Sequence, residues 1–121
     1  MGEQCESAEK KLAGLPPAQA MPLKELISVQ AGAIVSRELK RTAGGTVTLF
    51  AFDGGQGLSE HTAPFDALVQ VVDGELEIRI GGVPVTTRAG EVVLMPANVP
   101  HALLAPAPAK MLLVMLRTMG G

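Results

Sequence analysis

From residue 32 onward the chain is a succession of short apolar runs, each ended by a turn signal. The runs are "AIVSREL", "GTVTLFAF", "ALVQVV", "ELEIRI", "VPVTTR", "EVVLMP", "HALLA" and "KMLLVML". They are rich in Val, Ile, Leu and Thr, which suit a pleated, half-buried surface. Between them lie glycine, proline, aspartate and asparagine, which break it. Strands at this spacing, with no long helical pattern between them, predict an all-β antiparallel sandwich or barrel. "ELEIRI-GG-VPVTTR" predicts a hairpin, because its two glycines accept the positive φ that a tight hairpin turn requires. Glu75, Glu77 and Arg79 alternate with Leu76, Ile78 and Ile80, so that strand has one wet face. "KMLLVML" is apolar on both faces and therefore needs a cover outside the barrel. A second subunit is the cheapest cover, so a homodimer is expected.

Residues 1–20 read as an N-terminal tail, partly helical around "ESAEKKLAGL" until Pro16 and Pro17 stop it. "PLKELI" fits a short helix or an edge strand. Residues 21–121 form one domain, as a chain of 121 residues suggests. The residues AVILMFWYC make up 47% of the whole chain, enough for a core, and with three Phe and no Trp or Tyr that core is aliphatic. A net charge of −2 argues against a nucleic-acid partner and against a polybasic contact with a membrane surface. The scarcity of aromatics also removes the stacking platform that single strands need. The single cysteine, Cys5, excludes an intrachain disulfide and reads as a surface thiol. The N-terminus has no apolar stretch long enough for a secretion signal, and "MLLVML" is too short to span a bilayer. A cytoplasmic protein without a membrane partner is the expectation.

The chain has two histidines; His61 follows the glycine-rich turn "DGGQG" and His101 a stiff turn with two prolines, "PANVP". Gly55, His61 and Gly74 stand in the spacing G-x5-H…G, and Gly90, Pro96 and His101 in the spacing G-x5-P-x4-H. Both segments resemble the two motifs of the cupin family, and the resemblance covers residues 32–117. It implies a double-stranded β-helix, or jelly-roll barrel, with a short irregular or partly helical N-terminal segment. It also implies that the two motifs meet inside the barrel, where metal-binding members gather three histidines and a glutamate around one divalent ion. This chain departs from that pattern at four places. Ala63 stands at the second histidine, Ala67 at the glutamate, Asn98 at a glycine and Ala105 at the final asparagine. Asn98 tolerates a left-handed turn, so the turn geometry is kept.

The resemblance thus leaves His61 and His101 as the site. In one reading they are polar anchors for a small, largely apolar or mixed molecule in the barrel, able to act as acid and base near neutral pH. In another they hold one divalent metal (Fe, Mn, Ni or Zn), completed by water, substrate, Asp66 or Gln70, in an oxygenase or isomerase. A third is a structural or sensory module with no cofactor. Phe65 and Met95, next to the histidine turns, are candidate pocket walls with Gln70, and Met111 and Met115 are further candidates. Strand alternation from Ala67 turns Asp66 and Gln70 away from the pocket unless a bulge intervenes.

Overall fold

The computed structural model describes residues 14–117. A short 3-10 helix (Leu23–Leu26) precedes nine strands, β1 (Ile34–Thr42), β2 (Gly45–Phe52), β3 (Gly57–His61), β4 (Asp66–Asp73), β5 (Glu75–Ile80), β6 (Val83–Arg88), β7 (Val92–Met95), β8 (His101–Leu104) and β9 (Ala109–Leu116). They form a five-stranded sheet in the order β1-β2-β9-β4-β7 and a four-stranded sheet in the order β3-β8-β5-β6. Every recorded pairing is antiparallel. The all-β jelly roll expected from the sequence is the observed fold. "PLKELI" is settled as the 3-10 helix rather than an edge strand, and most of "ESAEKKLAGL" lies outside the described residues.

The inward faces of the two sheets meet in one aliphatic core. Val69, Val71, Leu76, Ile78 and Phe52 are fully buried there, with Met95, Leu103 and Met111 beside them. The hairpin between β5 and β6 turns on Gly81 and Gly82, at φ of 59° and 83°, the two positive values that the double glycine promised. A second, smaller cluster lies outside the five-stranded sheet. Leu49, Ala51 and Leu39 are covered there by Ile27, Leu23, Leu26 and Val29, with Leu112 of β9 among them. The chain's own residues 23–29 therefore supply, over Leu112, the cover assigned above to a second subunit. Arg37 secures this segment by donating to the carbonyls of Leu26 and Gly14, and Lys110 donates to that of Lys24. Val92, Leu94 and Leu116 of the same sheet stay exposed.

These two environments set the cost of truncation. Leu76 is fully buried between the sheets, whereas Leu94 is 53% exposed. Leu76→Ala should lose about 2–5 kcal/mol, read as a lower urea midpoint at unchanged slope. Leu94→Ala should stay within about 0.5 kcal/mol of the parent in the monomeric protein.

Candidate functional site

Two strands of the four-stranded sheet bring the histidines together across forty residues of sequence. His61 ends β3 and His101 opens β8, and the two are direct cross-strand partners. The pairing needs an irregularity. Leu58 pairs with Leu103 and His61 with His101, so β3 spends three residues where β8 spends two. A regular strand would put Leu58 and His61 on opposite faces. The bulge at Ser59 and Glu60 reverses that parity, and both side chains line the same cavity.

The turn that presents His101 is fastened to the segment that presents His61. Asn98 adopts φ 64°, the left-handed conformation expected of it, and its backbone N–H donates to the carbonyl of Ala63. Asp66 accepts from the N–H of Ala97, and the carbonyl of Pro100 accepts from Gly81. Asp66 is thus an outward-facing brace for the turn and not a member of the site, as alternation required. Gln70 is exposed on the same outward face, so its inclusion among the pocket residues is corrected. Phe65 packs its ring under the guanidinium of Arg117, 5.6 Å from the centroid, and does not line the cavity, which corrects its assignment too. Met95 does line it, with Met111 and Met115.

The ring geometry has one arrangement of protons that satisfies it. The centroids are 4.3 Å apart at an interplanar angle of 71°, and the Nε2 atoms face each other at 3.1 Å. Each Nδ1 lies against a carbonyl two residues back, His61 on Ser59 at 2.8 Å and His101 on Val99 at 3.3 Å. A carbonyl only accepts, so each Nδ1 must carry a proton to bond it. Two neutral rings then have no proton left for Nε2, and two lone pairs confront each other. All three contacts are satisfied only when one positive charge, a proton or a metal ion, sits between the Nε2 atoms. Two nitrogens at a zinc–nitrogen distance of about 2.0–2.1 Å can lie this far apart around one ion. The Nδ1–carbonyl bonds are also the outer contacts that fix the tautomer of a metal-binding imidazole. Among the described residues no group of three or more His, Cys, Asp or Glu is gathered so as to hold a metal.

His101 is 6% exposed and His61 is exposed, so the pair forms a wall between the barrel interior and solvent. The cavity behind it has a volume of about 60 Å³ and is lined by Leu58, Ala63, Ala67, Leu103 and Leu113 besides the histidines and methionines. Burial pushes the His101 imidazolium down from the usual 6.5, the nearby His61 adds to this, and the Val99 carbonyl opposes it. The unfolded chain therefore takes up this proton at higher pH than the folded one. The contribution of His101 to stability is complete above pH 6.5 and is lost as pH falls through its folded value. Its ring resonances should titrate with a midpoint below 6.5. The urea midpoint should fall from pH 7 to pH 5 by more than in His101→Leu.

The chain as a whole is similar to several known proteins. The family described as the cupin domain matches residues 48–115, more than half of the chain. A conserved protein of unknown function from Streptococcus pyogenes is 30% identical over 88% of this chain and 93% of its own, with a TM-score of 0.83. A cupin 2 conserved barrel domain protein from Leptotrichia buccalis is 38% identical over 78% of this chain and 46% of its own, with a TM-score of 0.75. A cupin superfamily protein from Desulfitobacterium hafniense is 27% identical over 86% and 95%, with a TM-score of 0.81. No curated protein matches. With the family model matching more than half of it, the chain belongs to the cupin domain family.

Proposed function

We propose that this cupin barrel holds one small cation between His61 and His101. The observation that carries the reading is the pair of Nε2 atoms facing each other at 3.1 Å, with each Nδ1 lying against a backbone carbonyl, 2.8 Å away for His61 and 3.3 Å for His101. The size of the cavity supports an ion over a larger guest. About 60 Å³ is far below the roughly 300–1,000 Å³ of a pocket for a drug-sized molecule. It holds an ion with a water or another small ligand. No helix of the described residues is long and apolar enough to cross a membrane.

His61 and His101 would hold the ion, and the Ser59 and Val99 carbonyls would keep their rings aimed. A bound ion would supply a Lewis-acid centre at the rim, where the exposed edge of His61 meets solvent. The enzyme reading, an oxygenase or isomerase, adds a substrate that approaches from that side. Elemental analysis of the purified protein should find close to one metal per chain, retained on dialysis and lost in His61→Ala and in His101→Ala. Metal-free protein that takes up no ion on reconstitution would sink the reading and return the pair to proton transfer or hydrogen bonding.

Assembly is part of the same proposal. Strand β7 is an edge of the five-stranded sheet, and Val92 and Leu94 on it are 60% and 53% exposed. An apolar edge strand is a template for pairing with a second copy, and a twofold axis there would cover both copies alike. Sedimentation velocity should give a dimer for the parent and a monomer for Leu94→Lys. A monomeric parent would remove the dimer.

A further inference from the structure

The donors that surround the proposed ion are unusual for a hard divalent metal. The position that holds the glutamate in metal-binding cupins is Ala67 here, buried in the middle of a row of the five-stranded sheet. Its direct partner on β7 is Met95, and its direct partner on β9 is Met115. Directly opposed residues of neighbouring strands share a face, with Cβ atoms about 4.5–5.5 Å apart. Ala67, Met95 and Met115 all line the cavity that the two histidines close, and Met111 lines it from two inward-facing rows further along, beyond the Val69–Leu113 pair. A missing carboxylate is thus flanked on both sides by a thioether.

Charge points the same way. No Asp or Glu lines the cavity, so nothing anionic compensates an ion inside it. The cost of removing an ion from water grows as the square of its charge, so an uncompensated dication costs about four times as much as a monocation. The ring pair calls for a single positive charge. Soft thioether and imidazole donors without carboxylate select a soft metal, and the soft monovalent ion of that kind is Cu(I).

We infer that His61, His101, Met95 and Met115 form a soft-metal site selective for Cu(I), the methionines replacing the oxygen ligand that position 67 no longer provides. The inference rests on the cation reading above and adds the identity of the ion. Each imidazole gives one nitrogen lone pair, the methionines give neutral sulfur, and the assembled site carries a net charge of +1. Met95 and Met115 have a second duty in the core, which is why Leu is the informative replacement: it nearly conserves volume while removing the sulfur.

The test is an anaerobic titration of the full-length chain in a Cys5→Ser background, so that the thiol takes no part. Cu(I) is delivered in competition with bicinchoninate, and Zn(II), Mn(II) and Fe(II) are titrated in parallel. The expected result is one Cu(I) per chain, held at least about 100-fold more tightly than the divalent ions. The Met95→Leu and Met115→Leu double variant should lose about 10–100-fold of the Cu(I) affinity while its Zn(II) affinity stays within about threefold. X-ray absorption at the copper edge should show sulfur neighbours in the parent and none in the double variant. Divalent ions held as tightly as Cu(I), or Cu(I) affinity unmoved by the double replacement, would overturn the assignment and leave the two-histidine cation site standing. Failure of the histidine pair to hold any of the four ions would overturn both.

Discussion

Strand β9 has apolar side chains on both faces, and both have to leave water. The rest of the architecture follows from this demand. Its inward residues, Met111, Leu113 and Met115, complete the core between the sheets, and its outward Leu112 joins the cluster closed by residues 23–29. Because β9 lies in the middle of the five-stranded sheet, between β2 and β4, each neighbour inherits the same requirement on at least one face. On the outer side the 3-10 helix, held by the clamp of Arg37 and the reach of Lys110, dries the part of that face around Leu112 and leaves Leu116 exposed. On the inner side the same strand delivers three of the residues that line the cavity.

Much of this was legible in the sequence. The alternation in "ELEIRI" and the double glycine after it specify a strand with one wet face and a tight turn, and both are present. Asn98 was readable as a left-handed position because its amide side chain tolerates what most residues do not. Strand β3 was harder. "GLSEH" is short and polar, and four of its five residues are exposed, so no apolar period marks it as a strand. It is held by pairing with β8, a contact forty residues away that no local pattern encodes.

The site divides in the same way. That His61 and His101 meet was implied by the resemblance of their segments to the two cupin motifs, but the closeness of their Nε2 atoms was not. It depends on a bulge, and bulges leave no mark in a run of polar residues. Phe65 and Gln70 stood near the histidines in sequence and are not at the cavity in space. Gln70 follows strand parity to the outside, and Phe65 precedes the first residue of β4 and packs against Arg117 instead. Met115 is distant in sequence and close in space, because the register of β9 against β4 sets it opposite Ala67.

The bulge between Leu58 and His61 has an evolutionary consequence. Whether a residue on β3 belongs to the barrel interior or to the surface is decided by a parity, and one inserted residue reverses it. A lineage could therefore acquire or discard the histidine pair through a single-codon insertion or deletion, with every side chain of the pair unchanged. Comparisons that score only substitutions at the motif histidines would miss such an event. A protein could keep both histidines in its sequence and have no site.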